Sequence, residues 1–216
     1  MLAQQIRRLK RCREADEIVI ATTTNASDDP IITVAEREGV RWFRGSEHDV
    51  LSRYVGAAHE ARAEVVARIT ADCPLIDPEQ TDAVITAIAK KKNEYDYASN
   101  CLHRTFPRGL DAEAFFMDTL ERTNRMAGSS AAREHVTYFI YNERPDLFSL
   151  LSITDDEDNS DLRWTVDTPS DFKLVTKIYE QLDLTAQVVS YRDVLSHVRL
   201  NQMNLALDQQ AQQQVW

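Results

Sequence analysis

The chain has 216 residues, 43% of them apolar, enough for one substantial α/β domain with its own core. Its formal net charge of −10 argues against a nucleic-acid partner, which wants a basic surface to neutralise phosphates. Three widely spaced cysteines, Cys12, Cys73 and Cys101, with no C-x-x-C, read as reduced thiols of a cytoplasmic protein, and no apolar run approaches the ~20 residues of a membrane span.

Leu2, Ile6 and Leu9 recur at helical spacing and predict an amphipathic helix with a basic outer face. A helix this early in a strand-helix alternation leads one to expect a strand ahead of it. The run from Glu17 to Thr22 reads as a strand that ends in a threonine cluster, with a loop from Asn25 to Asp29. Pro30 opens a helix that Gly39 stops, and Val40 to Phe43 forms the next strand. Ser46-x-x-Asp49 is like a capping box, and the helix after it turns Val50, Leu51, Tyr54 and Val55 inward.

Val65 to Ile69 is an apolar strand that breaks into a loop carrying Asp72, and a helix begins at Asp77 as N-cap with Pro78 in the first position. Ligands bind at the carboxyl ends of strands in open α/β sheets, so Asp72 is a candidate metal or substrate ligand; a turn-former before Pro74 is the plainer reading. Val84, Ile85 and Ile88 give the helix a buried face, and Lys90 to Lys92 form a solvated C-terminus.

Tyr95 to Ser99 is a short strand, followed by a long aperiodic loop from Asn100 to Asp111 that collects His103, Arg104, Arg108 and Asp111. Arginines beside a Pro-Arg-Gly turn suit carboxylate or phosphate recognition; pairing with neighbouring acids is the alternative. Asp118 to Met126 is helical, Ser129 or Ser130 caps a helix with Arg133, Glu134 and His135, and Leu147 to Ile153 is a strand. The acidic run 154–161 lacks the glycine and terminal Glu of an EF-hand and reads as a solvated loop.

Leu162 to Val166 is the last predicted strand, and Asp167, Thr168 and Pro169 repeat the earlier order of strand, aspartate and capped helix, with Phe172, Val175, Ile178 and Tyr179 facing inward. Ser190-x-x-Asp193 starts a final helix. One domain is expected over 1–200, followed by a polar tail over 201–216 whose glutamine-rich part, Gln209 to Gln214, reads as frayed.

Were the two strand-end carboxylates to converge, their repulsion at ~4 Å and an effective dielectric of ~20 would be about 4 kcal/mol, which calls for a cation or a shared proton. Mg²⁺ suits such a pair, since it takes one or two carboxylates together with substrate phosphates and waters. That chemistry points to nucleotidyl or phosphoryl transfer.

Six blocks in order, Ile18 to Asn25, Phe43 to Ser46 with Asp49 to Leu51, Arg68 to Asp77, Thr105 to Asp111, Arg133 to Thr137 and Leu162 to Pro169, resemble the spore-coat polysaccharide cytidylyltransferase family, which is related to the CMP-Kdo and CMP-sialate synthetases. The resemblance implies a Rossmann-like nucleotide-diphospho-sugar transferase fold, a three-layer α/β/α sandwich around a mixed, mostly parallel sheet. It also implies Mg²⁺-assisted transfer of CMP from CTP to a sugar or sugar acid with release of pyrophosphate, in the cytoplasm, for surface glycan synthesis. Carried over, Asp72 and Asp167 are the metal-binding and catalytic aspartates. Thr22, Asp49 and Thr70 fall towards the nucleoside, and Asn100, Arg108, Asp111 and His135 towards the sugar.

Two departures from the family pattern stand out. Ala71 occupies a place usually held by Gly, where a positive φ would make the methyl unfavourable. Family members also carry, ahead of the helix that here begins at Met1, a strand and a phosphate-gripping loop with a Leu-Pro-Gly-Lys turn, so the chain reads as N-terminally incomplete. The sequence therefore leaves two readings of function: a cytidylyltransferase, or a truncated or degenerate member that binds nucleotide, sugar or a partner without catalysis. A sheet short of its first strand would expose edges, which predicts self-association, a homodimer being the simplest form.

Overall fold

The computed structural model describes residues 1–201; the predicted glutamine-rich tail lies outside the described residues. Among the described residues there are eight α-helices: α1 (Leu2–Leu9), α2 (Asp29–Arg37), α3 (Val50–Ala61), α4 (Pro78–Ala89), α5 (Met117–Met126), α6 (Ser130–Glu134), α7 (Pro169–Gln181) and α8 (Tyr191–Leu200). The same residues hold six strands: β1 (Val19–Thr23), β2 (Arg41–Gly45), β3 (Val65–Arg68), β4 (Tyr97–Ser99), β5 (Glu113–Phe116) and β6 (Leu150–Ser152).

The strands form two sheets. β1 and β2 pair in parallel from Val19 opposite Arg41 to Thr23 opposite Gly45, and the other four lie in the order β3-β5-β4-β6. β4 and β6 are parallel, whereas β5 runs antiparallel to both its neighbours. Alternation along the strands sends Tyr97 and Phe115 to one face, where they pack with Leu51 and Ala58 of α3, Leu120 of α5 and Phe139. Ala98, Ala114 and Phe116 face the other way, against Val84, Ile85 and Ile88 of α4. The result is helix, sheet and helix in three layers. A third cluster, built on Trp164, Leu75, Phe106 and Leu110, joins the loops after β3 and β4 to α7 and α8.

Local chemistry accounts for most helix boundaries. The Asp77 carboxylate accepts from the Gln80 amide at 3.0 Å, and Ser190 caps α8 by accepting from Asp193. Gly39, at φ +62°, closes α2 in a conformation that favours glycine. Asp49 rather than Ser46 is the N-cap of α3; it accepts from Ser52, while Ser46 accepts from the Asp49 amide.

Several expectations are corrected. β5 lies where the sequence predicts no strand, because four buried residues run directly into α5 with no polar break. Leu162 to Val166 joins no ladder and makes a single bridge, Arg163 to Arg108. The strand read over 147–153 is confined to Leu150–Ser152, preceded by a 3₁₀ turn at Pro145–Leu147. Phe172 is 52% exposed, on the outer face of α7 rather than the inner. Arg8 does not join the basic outer face of α1: it is buried and donates to the carbonyls of Ile76 at 2.6 Å and Val189 at 3.2 Å. Ala71 has no positive φ, so its methyl adds no backbone strain. The acidic loop is tied down at both ends, Asp155 to Arg192 and Asp161 to Arg199.

Candidate active site

The carboxyl ends of β3, β4 and β6 lie in one row. Arg68 sits opposite Glu113, Glu113 opposite Ser99, and Ser99 opposite Ser152. Beyond that row come the Thr70 to Asp72 turn, the Asn100 to Asp111 loop and the segment leading to Asp167.

Asp72 and Asp167 are brought together by the backbone. The Val166 amide donates to the Asp72 carbonyl at 2.9 Å, which sets Asp167 one residue beyond that contact. The Asp72 carboxylate has only a long contact from the Cys73 thiol, at 3.6 Å to Oδ1. Asp167 receives Arg163 at 2.5 Å and Thr165 at 3.1 Å, both on Oδ2. Among the described residues, Oδ2 of Asp72 and Oδ1 of Asp167 carry no protein hydrogen bond. This donor set consists of hard, accessible oxygens and fits Mg²⁺, which prefers few protein ligands and keeps waters. No group of three or more His, Cys, Asp or Glu side chains that could hold a metal occurs among the described residues.

Asp111 belongs to the same neighbourhood. The loop that carries it is joined to the segment leading to Asp167 by backbone bonds from the Arg108 amide to the Leu162 carbonyl at 2.9 Å and from the Trp164 amide to the Arg108 carbonyl at 2.7 Å. Asp111 holds Arg104 in a two-pronged pair at 2.6 and 2.8 Å, so this arginine is satisfied by a neighbouring acid. Arg108 is exposed, and among the described residues its guanidinium has no partner. Gly109, at φ +101°, makes the turn between them; a Cβ there would lie 2.8 Å from the Trp164 carbonyl carbon.

The remaining predicted residues are more deeply engaged. Asn100 is 1% exposed and clamps the loop, donating to the Leu110 carbonyl at 2.7 Å and accepting from the Ala112 amide at 2.9 Å. Thr22 donates to Asp28 at 2.7 Å, as does Thr23 at 2.6 Å. Hydrogen bonds from Thr23 and then Thr22 hold the Asp28 carboxyl down at about 2. Asp49 uses one oxygen to cap α3 and both to grip Arg133 of α6, at 2.9 and 2.5 Å. Thr70 lies beside Cys73 at 3.3 Å, and its carbonyl accepts from Gln5 of α1. His135 is the half-buried C-cap of α6, edge-on to Tyr138.

Sequence reasoning missed Arg163, Asp171 and Glu113. Arg163 grips both Asp167 and Asp171, the latter at 3.0 Å, while Asp171 completes a capping box with Thr168. The Thr168-x-x-Asp171 spacing is a visible signal for that box; Arg163 and Glu113 carry none. A cleft of about 280 Å³ lies elsewhere, between the end of α1 and the first strands, lined by Lys10, Cys12, Glu17 and Arg41 among others, and it holds none of these residues.

Residues 1–211 match the family model described as cytidylyltransferase. The chain is 35% identical over 194 residues to an uncharacterized protein of Methanocaldococcus jannaschii, covering 87% of this chain and 77% of that protein. It is 31% identical over 172 residues to the spore coat polysaccharide biosynthesis protein SpsF of Bacillus subtilis, covering 78% of this chain and 69% of that one. Its fold is like that of a cytidylyltransferase from Leptospira borgpetersenii, with a TM-score of 0.89 at 27% identity over 96% of this chain and 86% of that one. A CMP:2-keto-3-deoxy-manno-octonic acid synthetase complexed with CTP shares the fold, with a TM-score of 0.59 at 12% identity over 83% of this chain and 87% of that one. Among the described residues no helix is long and apolar enough to cross a membrane.

Proposed function

We propose that this chain, which belongs to the cytidylyltransferase family, transfers CMP from CTP to a hydroxyl of a sugar or sugar acid and releases pyrophosphate, for surface-glycan synthesis. The observation that carries the reading is the Val166 to Asp72 backbone bond, which joins two aspartates with free carboxylate oxygens at the ligand edge of the sheet. Asp72 and Asp167 would hold Mg²⁺, which when bound neutralises phosphate charge and orients the triphosphate.

The chain's own residues divide the rest of the work. Thr70 and Thr22 stand on the nucleoside side, where Asp49 fixes α3 against α6 through Arg133. On the acceptor side, the exposed Arg108, which has no side-chain partner among the described residues, offers a planar donor to a sugar-acid carboxylate. Asp111, held by Arg104, and His135 are assigned to the sugar, and Asn100 keeps the loop that carries Arg108 and Asp111 in shape. The reaction site is expected to be used in the cytoplasm.

Pyrophosphate release from CTP, measured with Mg²⁺ and a panel of sugars and sugar acids, tests this. Turnover that needs both Mg²⁺ and one acceptor supports it. No turnover in the parent, with Asp72→Ala indistinguishable from it, would sink it.

A further inference from the structure

Glu113 lies at the junction of the elements that carry residues assigned to the nucleoside, the metal and the acceptor. Its buried carboxylate receives Arg68 of β3 on Oε2, the Tyr97 hydroxyl of β4 on Oε1 at 2.5 Å, and the Thr137 hydroxyl on Oε1 at 2.6 Å. β3 delivers Thr70 and Asp72, β4 delivers Asn100, and Asp111 stands two residues before Glu113 itself. A buried ion pair often stabilises no better than well-packed apolar residues would, so stability alone does not account for this one.

The bond to Thr137 reaches a strained turn. Val136 is fully buried with φ at +54°, a left-handed conformation that a β-branched residue rarely takes and that persists only where the surroundings over-determine it. His135 precedes it. The Thr137 amide donates to the His135 carbonyl at 2.5 Å, so the hydroxyl bound by Glu113 and the amide that closes the turn belong to one residue.

Resting on the function proposed above, we infer that Glu113 is a positioning residue: through Thr137 it holds the left-handed turn at Val136 and thereby fixes His135 on the acceptor side. Glu113→Ala would strand Arg68 and is uninformative if it fails to fold. Thr137→Val removes the hydroxyl, and with it both the bond to Glu113 and a longer one to the His135 carbonyl at 3.3 Å, while keeping the branched shape and leaving Arg68 and Tyr97 on Glu113. The double variant Arg68→Met with Glu113→Leu keeps the Thr137 hydroxyl and its contact with His135, so unmoved His135 resonances there would overturn the inference by showing that Thr137 alone holds the turn.

Expected by NMR in Thr137→Val are amide exchange at residue 137 faster by about tenfold, the scale of one hydrogen bond, and shifted His135 imidazole resonances, both restored by Thr137→Ser. In turnover assays KM for the acceptor rises by a similar factor while KM for CTP stays within about twofold. Unmoved exchange and imidazole resonances would overturn the inference, as would an equal rise in both KM values. If the parent turns over no CTP, the proposed function fails, while the exchange and imidazole measurements still decide the role of Glu113.

Discussion

Asp72 and Asp167 follow the same local order, an extended apolar segment, an aspartate and a helix with Pro in its first position, yet different forces hold them. The segment before Asp72 is β3, laddered to β5 through four residue pairs. Its carboxylate is nearly free of protein contacts. The segment before Asp167 has one bridge to Arg108, and the carboxylate itself is gripped by Arg163 and Thr165. One aspartate is placed by backbone pairing and keeps its side chain available. The other is placed by a side-chain clasp that a bound cation has to share.

The largest effects should come from removing either charge. Asp72→Asn and Asp167→Asn are each expected to lower Mg²⁺-dependent turnover by roughly 10²–10³, the scale of one transition-state charge contact. Stability separates them. Asp72→Asn should leave the unfolding free energy within about 0.5 kcal/mol, since that carboxylate supports little else. Asp167→Asn should lower it measurably, because Arg163 loses half of its clasp. Denaturant unfolding of both variants giving equal losses would erase the distinction.

Next in size is the joint between the two arms. A methyl at Gly109 would meet the Trp164 carbonyl carbon at 2.8 Å and the Thr165 amide at 2.9 Å, on a backbone at φ +101°. Gly109→Ala should cost about 2–4 kcal/mol, from left-handed strain together with the clash. It should also push apart the Arg108 and Arg163 segments, so that Asp167 loses its place while β3 keeps its ladder. Amide exchange would rise around Trp164 and not at Val66; a uniform rise would mean that the arms are not separate.

The contrast between the arms explains what was legible in the sequence. Helix starts were, at Asp77, Thr168 and Ser190, because a cap is settled within four residues by chemistry that the side chains carry themselves. The strand at 162–166 was misread because pairing depends on which neighbour tertiary packing supplies, and Arg108 offers just one bridge. β5 was missed for the converse reason: a four-residue buried run without alternation acquires its identity only between β3 and β4. Asp72 and Asp167 are legible as strand-end aspartates ahead of capped helices, and Arg108 and Asp111 as part of a long aperiodic loop, while their roles, and the choice of Thr22, Asp49, Thr70, Asn100 and His135, come only through the ordered family blocks. Arg163 and Glu113 stayed hidden, since nothing in their sequence neighbourhoods says which carboxylates or hydroxyls they will meet.

A smaller effect should follow from opening the clasp itself. Arg163→Met leaves Asp171 with its helix-cap bonds but without its cation, and leaves Asp167 with the Thr165 hydroxyl alone. With the guanidinium 15% exposed, a loss of about 1–3 kcal/mol is expected, below that of a fully buried pair. Mg²⁺ binding, read by calorimetry, should not weaken in step with stability, because the competitor for Asp167 is gone. A parallel fall in both would show that Arg163 orients the carboxylate rather than competing for it.

The smallest effect concerns the helix caps behind the two aspartates. α7 is capped by a neutral Thr168 hydroxyl, whereas α4 is capped by Asp77, buried, accepting also from the Tyr191 amide at 2.8 Å. Burial raises the Asp77 pKa, against the pull of the Gln80 amide and then Arg8. A carboxyl whose pKa is raised on folding opposes folding while it is ionised, and that opposition fades as pH falls through the raised value towards the unfolded value of ~3.9. Asp77→Asn keeps one cap acceptor, cannot ionise, and loses an acceptor for Tyr191. Its stability deficit against the parent should therefore be smaller at pH 7 than near pH 4, as measured by urea unfolding across that range. Thr168→Ser, with no ionisable group, should show a deficit independent of pH, so a matching slope in both variants would place the titrating group somewhere other than the α4 cap.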